Sequence, residues 1–206
     1  DCGPDFRTQL LRAGVDDLEA VLVTHEHRDH IAGLDDVRSI NYILRKLVAL
    51  HLSELSLDAV KKEFPYIFDP GDYKGAPQID IQNLSKKPFD LIGLKFIPLE
   101  VDHRNMKVFG FRIGDFSYIT DANHIPENTM ELLKGSKILV INALRHKKHP
   151  SHFNMEEAIE VVKQINPEKA YFTHLGHLIG PHDTVNEQLP AGMELAFDGL
   201  GFYIDV

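Results

Sequence analysis

The sequence predicts a mixed α/β domain over residues 1–206, and an α/β sandwich with two sheets inside and helices outside fits the order of its elements. Three observations predict it. Runs of short β-patterned segments alternate with segments of helical spacing. The chain has 206 residues and is 43% hydrophobic, enough to bury one substantial core. A polar cluster, Thr24-His25-Glu26-His27-Arg28-Asp29-His30, directly follows the apolar stretch Ala20-Val21-Leu22-Val23, which places chemistry at the end of a buried strand.

The elements follow in order. Residues 5–13 read as a helix closed by Gly14 as its C-terminal cap. Residues 18–24 are a short buried strand, and a helix starts within 31–38 behind the polar cluster. Residues 39–50 are ambiguous. Residues 57–64 have helical spacing, with Asp58 near the start and Pro65 as the stop. Residues 69–77 are a loop on composition. Strands follow at 78–82, 94–99, 107–113 and 116–120, with a tight turn at Gly114-Asp115 between the last two. Residues 137–142 are an apolar strand. Asn154 and Glu157 form a capping box for a helix through Ile165. Residues 169–173 are a further strand, and 193–206 read as a hairpin around Asp198-Gly199. The pattern contains no internal repeat.

Bulk properties exclude several classes. The net charge of −9 argues against a nucleic-acid partner, which usually requires a basic surface. Cys2 is the single cysteine, so no internal disulfide forms and a reducing, cytoplasmic setting is expected. No run of 18 or more apolar residues is present, so no membrane partner is expected.

The cluster itself packs three imidazoles and two carboxylates into seven positions. Imidazole and carboxylate suit zinc, manganese and iron. On continued strand geometry His25 and His27 point the same way and share one metal. Asp29 and His30 lie past the strand end, where the chain turns, and reach a second.

The order His25, His27, Asp29, His30 resembles the first metal motif of the metallo-β-lactamase-fold hydrolases. The stretches 1–7, 33–38, 64–68, 145–152 and 173–177 resemble a narrower branch, that of the phosphoribosyl cyclic phosphodiesterases of phosphonate degradation (PhnP-like). The resemblance touches nearly the whole chain. It implies a four-layer αββα sandwich of the metallo-β-lactamase type, lacking that fold's N-terminal strands, because the chain opens at Asp1-Cys2-Gly3 without a methionine. In those relatives cysteines of the preceding segment hold a structural zinc with a His placed like His177.

The resemblance further implies a ligand set and a mechanism. His25, His27 and His103 bind one divalent ion, zinc or manganese; Asp29, His30 and His174 bind the other; Asp121 bridges them. His103, Asp121 and His174 each follow a predicted strand, which gives rigid support. Two ions about 3.5–4 Å apart supply a bridging hydroxide nucleophile and polarise the ester. Catalytic roles fall to Asp29 and to His152, which matches the non-ligand catalytic His of the phosphodiesterases and suits proton donation to a leaving oxygen. Arg145, Lys147 or Lys148 hold an anionic substrate group, with a solvated basic loop as the competing reading for the two lysines. Asp1 suits a hydrogen bond to a ligand His. His124 is either a partner of the site or surface. His177 and His182 read as structural, His51 has no supporting context, and Cys2 is either a soft ligand or, as the favoured reading, a small buried residue.

The expected function is a dinuclear metal-dependent phosphodiesterase acting on small cyclic or ribosyl phosphate esters. The expected partner is a small anionic phosphate ester, and a homodimer is left open. The alternatives are a lactone or thioester hydrolase of the same fold, and an RNA 3′-end processing nuclease, against which the acidic charge counts. A non-catalytic metal module is disfavoured because structural sites draw more heavily on cysteine.

Overall fold

The computed structural model describes residues 1–204, arranged as two compact units divided between Ser85 and Lys86. The first unit holds α1 (Phe6–Ala13), β1 (Ala20–Leu22), α2 (Arg28–Ile31), a 3-10 turn (Leu34–Asp36), α3 (Val37–Leu44), β2 (Val48–Leu52), α4 (Glu54–Glu63), α5 (Pro65–Phe68) and β3 (Ile79–Asn83). Its three strands are parallel, in the order β1-β2-β3. Val21, Val48, Leu50 and Leu52 are buried with Phe6, Val37, Ile40 and Val60 from the helices, so one sheet and its helices share a core.

Several local causes are visible. Gly14 caps α1 in the left-handed conformation, φ 65°, as the sequence predicts. Ser53 caps α4, its hydroxyl accepting from the Ser56 backbone N–H at 3.1 Å. Pro65 does more than stop that helix: it occupies the first turn of α5, where its missing N–H costs nothing. The helix expected over 31–38 is broken into α2, the 3-10 turn and α3. The break lies at Gly33, whose backbone N–H donates to the Cys2 carbonyl at 2.8 Å. A Cβ on Gly33 would meet the Gly3 carbonyl oxygen at 2.3 Å. The ambiguous 39–50 stretch divides into the rest of α3 and the start of β2.

The second unit holds β4 (Phe89–Leu91), β5 (Leu94–His103), β6 (Met106–Ile113), β7 (Phe116–Ile119), α6 (Glu127–Leu133), β8 (Ile138–Asn142), α7 (Met155–Ile165), β9 (Lys169–Thr173), α8 (His182–Asn186) and β10 (Met193–Leu195). These strands form one seven-stranded sheet, β10-β9-β8-β7-β6-β5-β4. β4 to β7 are joined antiparallel, while β7 to β10 run parallel. The C-terminal ends of β5, β7, β8 and β9 therefore lie on one edge. Leu99, Val101, Ile119, Leu139, Ile141 and Phe172 are buried with Ala158 and Val162 of α7. Asn154 and Glu157 form the expected capping box at the start of α7.

Two expectations are corrected here. β5 does not stop at Leu99 but runs to His103, pairing His103 with Met106 across a two-residue turn. That turn uses Arg104 at φ 57° in place of the usual Asn-Gly pair, so its composition gives no signal. The hairpin expected over 193–206 is absent among the described residues. Met193–Leu195 instead adds parallel to β9, and Asp198-Gly199 forms only a turn, with Leu200 N–H donating to Phe197 at 3.1 Å. Residues 205 and 206 lie outside the described residues. No helix among the described residues is long and apolar enough to cross a membrane.

Candidate metal centre

Each unit carries a group of His and Asp side chains of types that could hold a metal ion. In the first unit, β1 ends at Leu22, and the Val23 N–H still donates to His51 of β2 at 2.8 Å. The chain then leaves the sheet extended to His27 (φ −63°, ψ 147°) and turns into α2. His25 Nε2 and His27 Nδ1 stand 3.0 Å apart. One residue into α2, Asp29 Oδ2 lies 3.5 Å from His30 Nε2. Two donors bound at about 2.0–2.2 Å to one ion sit roughly 2.8–3.6 Å apart. Both pairs have that spacing.

Asp1 organises this cluster from behind. Its Oδ1 accepts from the Thr24 backbone N–H at 2.7 Å. Its Oδ2 accepts from the Thr24 hydroxyl at 2.9 Å and from His30 Nδ1 at 2.8 Å. The Thr24 oxygen in turn lies 3.0 Å from His25 Nδ1. With Nδ1 of His25 and of His30 each tied to an oxygen, Nε2 is the nitrogen each could offer to an ion. Residues 1–3 are held against the motif by Cys2 N–H donating to the His30 carbonyl at 2.8 Å. Glu26 is occupied elsewhere, accepting from Ser56 Oγ at 2.9 Å, and Arg28 pairs with Glu63.

In the second unit the cluster stands at the strand-end edge. His103 closes β5, with Nδ1 2.7 Å from the Ser151 carbonyl, which again leaves Nε2 as the ligand atom. Asp121 lies two residues past β7 and His174 one past β9. Both are left-handed, φ 58° and 55°. Such conformations cost about 1–3 kcal/mol in residues other than glycine and concentrate at functional sites. Here they turn a buried carboxylate and a half-buried imidazole toward each other: Asp121 Oδ1 and His174 Nε2 are 3.1 Å apart. Thr120 Oγ1 also donates to Asp121 Oδ1, at 2.8 Å. Asn142, fully buried at the end of β8, fixes the backbone after Asp121. Its Oδ1 accepts from Ala122 N–H at 2.8 Å and its Nδ2 donates to the Ala122 carbonyl at 3.0 Å.

The loop between β8 and α7 brings His152 to the same edge. Its Nε2 lies 3.2 Å from Asp121 Oδ2, and its ring is near-parallel to that of His174 with centroids 5.0 Å apart. Nδ1 stands 3.0 Å from Ser151 Oγ and 3.1 Å from His149 Nδ1. Burial, with His152 and Arg145 nearby, lowers the pKa of His149.

Arg145 makes two contacts to its own loop. Its Nε donates to the Lys147 carbonyl at 3.1 Å and a terminal nitrogen to the Lys148 carbonyl at 3.0 Å, so it braces the loop. His146 Nε2 bonds the Ile179 carbonyl at 2.9 Å. His124 pairs with Asp102 at 2.7 Å on the surface. Lys147 and Lys148 are exposed. The Ser151 carbonyl behind His103 and the Asn142 clamp carry no sequence signal, because each depends on a backbone partner distant in sequence.

The donors in each unit, imidazole and carboxylate, are of types that suit a divalent ion, and the rings of His25, His30 and His103 are oriented from behind. The comparisons agree with the fold. Residues 1–175 match the Beta-lactamase superfamily domain, and the chain belongs to that family. Within it, the chain falls in the PhnP branch. A solved structure described as a new diphosphatase from the PhnP family is 38% identical, covering all of this chain and 79% of that one, with a TM-score of 0.92. A protein of Porphyromonas gingivalis (strain ATCC BAA-308 / W83), named octanoyltransferase, is 37% identical over 207 residues; the match covers all of this chain but 42% of that protein. Human tRNase Z, short form, shares the fold at 17% identity, with a TM-score of 0.70 over all of this chain and 87% of that one.

Proposed function

We propose that the chain is a dinuclear metal-dependent phosphodiesterase acting on small cyclic or ribosyl phosphate esters. In this reading the chain binds two divalent ions. His25, His27 and His103 hold one, Asp29, His30 and His174 hold the other, and Asp121 serves both. Divalent ions there lower the pKa of water and polarise a phosphoryl oxygen. The protein's own residues do the rest. Asp1, Thr24 and the Ser151 carbonyl fix the ligand rings, and Asp29 completes the set on the exposed side.

The observation that carries phosphodiester chemistry is His152. Its Nε2 reaches the Asp121 carboxylate, while Nδ1 is backed by Ser151 and His149. This contact supports a role for His152 as the donor of a proton to an alkoxide leaving group. Membership of the PhnP branch supports a phosphate substrate, since the relative in that branch is named a diphosphatase.

A second reading, transfer or hydrolysis of an acyl group, is suggested by the name of the P. gingivalis relative. This chain spans less than half of that protein. Its single thiol, Cys2, is 1% exposed and pushed up to about 11 by burial, a poor nucleophile for covalent acyl transfer. Hydrolysis of a panel decides between the readings: ribosyl cyclic phosphates, 2′,3′-cyclic nucleotides and bis-p-nitrophenyl phosphate against a lactone and a thioester. The phosphodiesters are expected to turn over faster. Much faster turnover of the carboxylic substrates would replace the first reading by the second.

A further inference from the structure

Away from the ligand cluster, the first unit has an open cleft of about 910 Å³ between α3 and the loop ahead of β3. Its lining reverses the sign of the molecule. The chain carries a net charge of −9, yet the cleft is lined by Arg38, Arg45 and Lys74 and by no carboxylate. Arg38 is engaged, with Asp35 at 3.2 Å and the Tyr73 hydroxyl at 3.3 Å. Arg45 and Lys74 are exposed, and neither forms a salt bridge among the described residues. Two tyrosines, Tyr42 and Tyr73, also line it, 88% and 51% exposed.

The walls are built. Asn41 is buried and joins α3 to the opposite side, its amide donating to the Lys46 and Gln78 carbonyls at 2.9 and 2.8 Å and accepting from Gln78 N–H at 2.9 Å. The Tyr73 ring lies over Gly75, where a Cβ would meet its hydroxyl oxygen at 2.7 Å, and Arg38 holds the same hydroxyl. Arg45 ends α3 in the left-handed conformation, φ 53°, at a position where glycine or asparagine is usual.

We infer that this cleft binds a nucleoside monophosphate, with Arg45 and Lys74 on the phosphate and the rings of Tyr42 and Tyr73 against the base. Two unopposed cations match a phosphate. Exposed aromatic faces beside them match a flat ring, and stacking does not discriminate strongly among bases. The volume lies within the range of small-molecule sites, about 300–1,000 Å³. The inference is independent of the phosphodiesterase reading, because the residues of the cleft and of the ligand cluster do not overlap.

The test is calorimetric titration of the metal-loaded protein with AMP, ribose 5-phosphate, adenosine and inorganic phosphate. AMP is expected to bind more tightly than each fragment. The double substitution Arg45→Glu, Lys74→Glu should weaken AMP by about tenfold or more while leaving bis-p-nitrophenyl phosphate turnover unchanged. Tyr42→Ala should reduce AMP to the affinity of ribose 5-phosphate. AMP binding should survive Asp121→Ala, which separates the cleft from the metal centre. Equal AMP affinity in the wild type and the double variant, loss of AMP binding in Asp121→Ala, or binding of a short single-stranded oligonucleotide with none of AMP would each overturn the inference.

Discussion

His152 Nε2 stands 3.2 Å from Oδ2 of Asp121, while the other oxygen of that carboxylate lies 3.1 Å from His174 Nε2. One buried carboxylate thus faces two imidazoles that are assigned different work. The distinction is testable because a ligand and a proton donor fail in different ways.

His152→Ala should keep metal yet lower turnover by roughly 10²–10⁴-fold on a substrate with an alkoxide leaving group. The loss should be smaller on a p-nitrophenyl ester, whose leaving group needs little protonation. Metal content and turnover on the two substrates check this. Loss of metal would make His152 a ligand. Full activity on the poor leaving group would leave His149 as the donor to test, since His146 is committed to the Ile179 carbonyl.

Asp121→Ala should lose metal as well as rate, because its carboxylate is assigned to both ions. Metal analysis after reconstitution and dialysis reads this directly. Two ions are expected for the wild type and fewer for the variant. A variant that retains two ions with little loss of rate would remove Asp121 from the centre.

Asn142→Leu should destabilise the second unit. It strips both the acceptor and the donor that hold the Ala122 backbone, inside a fully buried site. An unsatisfied buried polar group costs about 1–3 kcal/mol, and the Ala122 carbonyl keeps one other donor, the Phe153 N–H. A loss of about 2–4 kcal/mol in urea-induced unfolding is expected. A change within about 0.5 kcal/mol, the range of ordinary surface substitutions, would contradict the clamp.

Gly33→Ala should be destabilising even though it adds one methyl group. Its Cβ would lie 2.6 Å from the Cβ of Phe6 and 2.3 Å from the Gly3 carbonyl oxygen. Overpacking of this kind costs about 1–3 kcal/mol. The shift should also loosen residues 1–3 from the His30 carbonyl, so a fall in metal affinity is expected alongside the fall in melting temperature. Unchanged values for both would show that residues 1–6 do not brace the motif.

Much of this molecule was legible in its sequence, for physical reasons that differ by element. Gly14, the Asn154–Glu157 box and strand 169–173 announced themselves because a cap or an apolar run is a local signal. The cluster His25, His27, Asp29, His30 was legible because few roles other than metal binding need that density of imidazole and carboxylate. The turn at Arg104 was not, since its left-handed residue is one that composition does not flag, and the end of β5 was misplaced as a result. β10 was read as half of a hairpin because Asp198-Gly199 is a turn signal, whereas tertiary pairing placed that segment beside β9. That Arg145 also bonds carbonyls two and three residues away is a loop conformation that charge alone does not encode.

The central claim is metal-dependent phosphodiester hydrolysis. The most direct test is the initial rate on a ribosyl cyclic phosphate, measured on chelator-stripped protein and again after adding back zinc or manganese. The account predicts negligible turnover when stripped, recovery that saturates at two ions per chain, and no recovery in Asp121→Ala. Full phosphodiester turnover by the stripped protein, or none after both ions are bound, would contradict it.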